Sequence, residues 1–168
     1  MHITTPPMGW NSWVCYGAAV NEETVRKYIQ EQEFYTTSFN EDGKAVRDYV
    51  KKLLGRIVFL YFLQRKGWLD GNKNYMHDLF HNSTCKDNFL DEVLEPLFFG
   101  VLNTPKNQMT EKALALPGGA EIPYLNGGLF QNDELDDKEC KLPSEYFENL
   151  FALFDQYNFT IDENDPEE

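Results

Sequence analysis

Eight apolar residues, Val46, Val50, Leu53, Leu54, Ile57, Val58, Tyr61 and Phe62, recur at spacings of three and four. At 3.6 residues per turn that spacing puts them on one face and predicts a long amphipathic helix. The helix is expected to start at Asn40-Glu41-Asp42 and to stop at Gly67, a residue suited to a left-handed C-terminal turn. A second stripe, Phe89, Leu90, Val93, Leu94, Leu97, Phe98 and Val101, predicts a helix from about Asp87 to Asn103, kinked or divided in two at Pro96. Phe147, Leu150, Phe151 and Phe154 predict a last helix over Glu145 to Gln156. A short helix is expected over Tyr75 to His81, and another from about Glu22 to Tyr35. The latter starts at Asn21 as N-cap, with Glu22 and Glu23 in the first turn, where the helix dipole favours acids. Phe159, Thr160, Ile161 and Asp162 alternate apolar and polar, as a short strand does.

Two stretches fit neither period. Residues 1–20 hold Pro6-Pro7, Gly9 and Gly17 and read as an irregular arm with at most one short strand. Residues 104–143 hold Pro105, Pro117, Gly118-Gly119, Pro123 and Gly127-Gly128, which excludes regular helix. A connector this long is expected to be functional or held down by another element. The fold class that follows is mostly α: an irregular helical domain with a long Gly/Pro-rich connector and at most a few short β-strands. Its expected divisions are an N-terminal arm at 1–20, a helical connector-like domain at 21–164 and an acidic end at 165–168.

The 168 residues suffice for one ordinary domain with a real core. Hydrophobic residues at 42% and aromatics at 15% exclude disorder, and so many rings lead one to expect aromatic surface facing a neighbour. The longest apolar run, Ile57 to Leu63, falls far short of the roughly 20 residues of a membrane span, so a soluble protein without a membrane partner is expected. The N-terminus shows no signal-peptide series, and Cys15, Cys85 and Cys140 are odd in number and scattered; a reduced, cytoplasmic setting is the expectation.

The formal net charge is -13, which disfavours free-standing DNA binding, but it is unevenly spread. Residues 132–168 carry 13 acids and 2 bases, whereas Lys44 to Lys66 carry seven bases and the single acid Asp48. This basic island lies on the first long helix, mainly off its apolar stripe. Arg47, Lys51, Lys52, Arg56, Arg65 and Lys66 are therefore either a solvated helical face or contacts to a DNA backbone. Phosphate contacts of that kind raise affinity and position the protein without specifying sequence.

Three other patterns carry little chemistry. His77, His81 and Cys85 stand at successive fourth positions and could share a helical face for zinc. Asn82-Ser83-Thr84 ends that helix, however, and a structural site closes with four ligands, so no metal site is assigned. Asp133 with Glu139-Cys140-Lys141 faintly echoes the acids and lysine of a Mg²⁺ nuclease, yet the spacing is loose and an acidic solvated loop accounts for it. "LPGG" and "LNGG" lack the Lys-Ser/Thr ending of a phosphate loop and read as turns. No catalytic or cofactor-binding residue is assigned.

Two resemblances add to this reading. "TPPMGWNSW", Thr5 to Trp13, resembles the first strand and loop of the family 27 glycoside hydrolases, the alpha-galactosidase group, and the likeness fades by about residue 25. It implies the opening of a (β/α)8 barrel, but such barrels take about 250 residues and the chain lacks the later strand-end carboxylate motifs. "LLGRIVFLYFLQRKGWL", "FLDEVLEPLFFGVLNT", "IPYLNGGLF" and "YFENLFALFDQYNFTIDEN" resemble, in order, blocks of the type IIG restriction-modification enzymes. These are large bacterial proteins that join an endonuclease to an N6-adenine DNA methyltransferase. The resemblance spans about residues 45–164 and implies the helical connector before the methyltransferase core.

The chain shows no Gly-rich loop for S-adenosylmethionine and no Asn-Pro-Pro-Tyr or Asp-Pro-Pro-Tyr to hold a flipped adenine. The resemblance thus implies a non-catalytic piece, with S-adenosylmethionine and Mg²⁺ used elsewhere in the parent. Its expected partners are the neighbouring methyltransferase and nuclease domains, with DNA as a further candidate through the basic helix. The alternatives are a carbohydrate-active, alpha-galactosidase-related protein or an acidic interaction module built on residues 132–168.

Overall fold

Gly43–Arg65 forms a 23-residue helix, α1, in the computed structural model, in which residues 43–138 and 142–157 are described. The expected arm at 1–20, the helix at 22–35, the strand at 159–162 and the acidic end at 165–168 lie outside those residues. Gly67 ends α1 as expected. It takes φ +79°, its N–H bonds the Gln64 carbonyl at 3.0 Å, and the next N–H, of Trp68, bonds the Leu63 carbonyl at 3.0 Å. This paired closure satisfies carbonyls that the last turn would otherwise leave open.

α1 is not a one-faced helix. All twelve residues from Leu53 to Gln64 are buried, on every side of the cylinder. Phe59, Leu60 and Leu63, which lie off the predicted stripe, are 2% exposed or less. A helix apolar all round belongs in the interior, and the unbroken run Ile57 to Leu63 makes this stretch one. The other described elements pack around it.

Tyr75–His81 forms α2 with its expected bounds, burying Tyr75, Met76, Leu79 and Phe80. Gln64, itself buried, accepts a hydrogen bond from the Met76 N–H at 2.9 Å and so joins α1 to the first turn of α2. The next stripe is wound as two wide π-helical segments, Leu90–Leu94 and Pro96–Leu102, joined through Glu95, which keeps helical dihedrals. Pro96 marks the division, as expected. The sequence carries a reason for the wide winding. The buried pairs 89/90, 93/94, 97/98 and 101/102 repeat every four residues, and all eight side chains are 8% exposed or less. An α-helix advances more than one turn in four residues and would rotate such pairs off the core, whereas wider i→i+5 turns keep them aligned.

Glu111–Leu114 forms the one-turn helix α3, capped by the Thr110 side chain, which accepts from the Ala113 N–H at 3.2 Å. α3 packs on Pro96–Leu102 at Gly100, where an added Cβ would sit 3.0 Å from the Ala113 Cβ. Ser144–Phe154 forms α4 and buries Tyr146, Phe147, Leu150, Phe151 and Phe154. Its rings complete an aromatic cluster: Phe151 meets Phe80 at 5.7 Å and 77°, Phe89 meets Phe147 at 5.2 Å and 62°, and Tyr61 meets Phe154 edge-on at 5.3 Å. Edge-to-face pairs of this kind add about 0.5–1.5 kcal/mol each beyond the area they bury. Among the described residues the rings therefore point mainly inward, against the expectation of aromatic surface. Among the described residues the exposed large apolar side chain is Leu114.

The fold is mostly helical, with no strand among the described residues. None of its described helices is long and apolar enough to cross a membrane.

Candidate functional site: the arginine hub and the two basic ends

Lys52 and Arg56 stand four residues apart on α1, and that spacing turns both side chains toward the same neighbour. The neighbour is the connector between Leu129 and Asp136. The Arg56 Nε donates to the Leu129 carbonyl at 2.8 Å and Nη2 to the Gln131 carbonyl at 3.0 Å. Nη1 and Nη2 also grip the two Asp136 carboxylate oxygens at 2.6 and 3.0 Å. The guanidinium carbon lies 5.5 Å from the Phe98 ring centre and 5.1 Å from that of Phe99. Both side chains of the Arg56–Asp136 pair are only 2% exposed. A planar fork with five donors is the side chain that can serve a carboxylate and two carbonyls at once.

Lys52 adds a second cation. Its Nζ reaches Asp136 Oδ2 at 2.9 Å and pairs with Asp133 as well. The two carboxylates also shape the loop: Asp133 Oδ1 accepts from the Leu135 N–H at 2.9 Å, and Asp136 Oδ2 from the Asp133 N–H at 3.1 Å. Burial alone would raise the Asp136 carboxyl, but hydrogen bonds from Arg56 and Lys52 outweigh it and hold the group below the usual range. The Lys52 hydrogen bond does the same for Asp133, aided by backbone N–H groups. Glu95, half-buried at the join of the two wide segments, goes the other way. Burial, with Asp91 and Asp136 as like charges, pushes it up from 4.5 to about 7, against the pull of Arg56 and Lys112.

The six basic residues thus separate. Arg56 cannot meet a phosphate from the surface, since it is buried and its donors are taken inside the chain. That corrects both its solvated-face reading and its place among the backbone contacts. Lys52 is largely committed to the same carboxylates. Arg47 and Lys51 are exposed toward one end of α1, and Arg65 and Lys66 at the other. Arg47 and Arg65 share an angular position, eighteen residues or about 27 Å apart along the axis. The side chains between them on that side, Leu54, Val58 and Phe62, are buried. The basic face is therefore two separate ends.

The rest of the connector is held as firmly. Leu125 N–H bonds the Leu102 carbonyl at 2.7 Å, and the Tyr75 hydroxyl donates to the Pro117 carbonyl at 2.7 Å. Lys106 Nζ donates to the carbonyls of Gly119 and Ile122. Gly118 takes φ +66° within 2.5 Å, from its hypothetical Cβ, of the Asp70 side chain, so the "LPGG" pair is a tight turn as expected. In "LNGG", Gly127 is extended and Gly128 opens a 3₁₀ turn.

No described residues gather three or more His, Cys, Asp or Glu side chains as a metal site. His77 and His81 stack at 4.1 Å, while α2 ends at His81 and Cys85 is exposed beyond it. Glu139-Cys140-Lys141 lies outside the described residues, and its upstream acid, Asp133, is paired with Lys52. Clefts open on the surface formed by the described residues. One, of about 470 Å³, lies beside Arg65 between α1, α2 and α4; another, of about 570 Å³, lies between α2, Glu92 and the segment Lys112 to Pro117.

What the geometry defines is a mostly helical block whose long connector is clamped onto a buried helix. Residues 48–130 match the family model described as "MmeI, helicase spacer domain". That range holds Arg56 and its carbonyl partner Leu129, but not Asp136. The chain is also 29% identical over 119 residues, 69% of its length, to a protein of Methanocaldococcus jannaschii named as a candidate type II restriction enzyme and methyltransferase. It spans about 10% of the length of that relative. Together these matches support the restriction-modification family, in agreement with the blocks at 45–164. No solved structure matches the chain. The alpha-galactosidase-like stretch at 5–25 lies outside both the described residues and the matched range 48–130.

Proposed function

We propose that this chain is the helical spacer of a type IIG restriction-modification protein, holding the endonuclease and N6-adenine methyltransferase domains at a set distance and angle. The observation that carries this reading is the Arg56 hub, which fastens Leu129, Gln131 and Asp136 to α1. A spacer transmits geometry only if its irregular parts do not yield, and a buried guanidinium with four hydrogen bonds stiffens the stretch that glycines would otherwise loosen. In this reading the chain does no chemistry itself. S-adenosylmethionine and Mg²⁺ are used by the neighbouring domains, and the exposed ends Arg47/Lys51 and Arg65/Lys66 add contacts to the DNA backbone.

The test has two arms. Incubating the chain with S-adenosylmethionine and duplex DNA should yield no N6-methyladenine, and observed transfer would refute a non-catalytic spacer. A fluorescent duplex should bind weakly at low salt and be released as salt rises. Absence of binding at low salt would remove the DNA contacts and leave a spacer that touches only protein domains.

A further inference from the structure

The two basic ends are not equivalent. Arg65 stands at the rim of the 470 Å³ cleft together with Lys73, Asn74, His77 and the half-buried ring of Tyr157. Two carboxylates, Asp78 and Asp155, line it too. Each is already engaged: Asp78 accepts from Asn72 Nδ2 at 2.9 Å and lies 3.3 Å from His77 Nδ1, and Asp155 accepts from the Tyr61 hydroxyl at 3.1 Å. Those hydrogen bonds hold the Asp78 carboxyl below the usual range, so it stays a fixed, satisfied charge. Arg65 and Lys73 are exposed and have no ion-pair partner among the described residues. The cleft therefore offers two uncommitted cations and neutral donors around a space large enough for a phosphodiester.

We propose that this cleft seats one phosphate of a DNA backbone, with Arg65 as the planar fork, Lys73 as the point charge and Asn74 as a neutral donor. The assignment rests on the spacer reading above and names which end of α1 does the gripping. Asp78 and Asp155 oppose an anion, since their hydrogen bonds to Asn72 and Tyr61 leave their charge in place, so both Arg65 and Lys73 are needed to make the cleft attractive to a phosphate. The phosphate sources to separate are a duplex and a free polyphosphate.

The test uses the whole chain, an Arg65→Gln/Lys73→Gln variant and an Arg47→Gln/Lys51→Gln variant, with a fluorescent duplex titrated at several salt concentrations and tripolyphosphate as competitor. All four positions are exposed, so both variants should keep the melting temperature of the parent chain. The expected result is several-fold weaker duplex binding for Arg65→Gln/Lys73→Gln. Its slope of log affinity against log salt should be shallower by about 1, for the one phosphate no longer held, with tripolyphosphate a poor competitor. Loss confined to Arg47→Gln/Lys51→Gln would overturn the cleft and leave the spacer reading intact. Duplex binding absent from the unmodified chain would overturn the cleft together with the DNA contacts of the spacer reading, and leave a spacer that touches only protein domains. Equal competition by tripolyphosphate would make the cleft a general polyanion site and overturn the backbone assignment.

Discussion

Arg56 and Arg65 sit nine residues apart on one helix and have opposite surroundings. Arg56 is 2% exposed and spends four hydrogen bonds on the connector, while Arg65 stands at the rim of an open cleft with no ion-pair partner among the described residues. Their flanking sequences, "LGRIV" and "LQRKG", share a leucine and a glycine but set Ile57 and Val58 against Gln64 and Lys66. What separates them is position along α1. Arg56 lies within the twelve-residue buried stretch and Arg65 just past its end, where Gly67 turns the chain away. A helical arginine is a binding residue or a structural one according to what the rest of the chain lays over it.

The largest effect should come from breaking the buried side of this contrast. Asp136→Ala leaves the Arg56 charge buried without its carboxylate and should cost about 3–5 kcal/mol in denaturant unfolding. Arg65→Ala should stay within about 0.5 kcal/mol, as exposed substitutions do. Equal losses at the two sites would erase the distinction. Replacing both hub partners with apolar residues, Arg56→Met with Asp136→Leu, should recover much of the Asp136→Ala loss, although the Leu129 and Gln131 carbonyls then lose their donor.

A smaller effect is expected at Gly118. Alanine there would hold φ +66° at a cost of about 1–2 kcal/mol, and its Cβ would come within 2.5 Å of the Asp70 Cβ, so the Asp70 backbone must shift as well. Thermal unfolding would read it. A loss no greater than that at an exposed helical site would mean that this part of the connector is not firmly held.

Smaller still is a pH effect at the hub's edge. Glu95 titrates at about 7 in the folded chain against an ordinary 4.5, so folding favours its protonated form. The stabilisation is complete below about 4.5 and is lost as pH rises through about 7. Glu95→Gln should therefore raise the melting temperature at pH 8 and leave it nearly unchanged at pH 5. Asp136 and Asp133, with lowered values, act in the opposite sense: their stabilisation is present above the ordinary aspartate range and lost as pH falls through the folded values. A variant with the same pH profile as the parent would place Glu95 in water, away from Arg56 and Asp136.

The helices were legible because their apolar spacing is strong and local. The stripe at 89 to 101, the bounds of α2, the Gly67 stop and the buried face of α4 all follow from residues within one or two turns of each other. The covering of α1 on all sides was half legible, in the uninterrupted run Ile57 to Leu63. The hub was not. Its bonds join residues 73 to 80 positions apart, and nothing near Arg56 announces an acid at 136. One signal was available: Lys52 and Arg56 at i and i+4 flank the approach to an all-apolar stretch, and cations so placed need a carboxylate if the helix is buried. Asp133 and Asp136, counted with the acidic stretch 132–168, are that counter-charge. Among the described residues the surplus of aromatic residues also misled, because three elements converge to stack Phe80, Phe89, Phe147 and Phe151 inside.

The measurement that bears most directly on the clamped-spacer account is a double-mutant cycle between Arg56 and Asp136, using Arg56→Met, Asp136→Leu and the pair in equilibrium urea unfolding. The account predicts a coupling of about 2–3 kcal/mol, at the upper end for contacting residues, with the connector losing amide protection near Leu129 and Gln131 in either single variant. A coupling near zero, with connector protection unchanged, would mean that the loop holds its shape without the arginine and would contradict the hub as the element that stiffens the block.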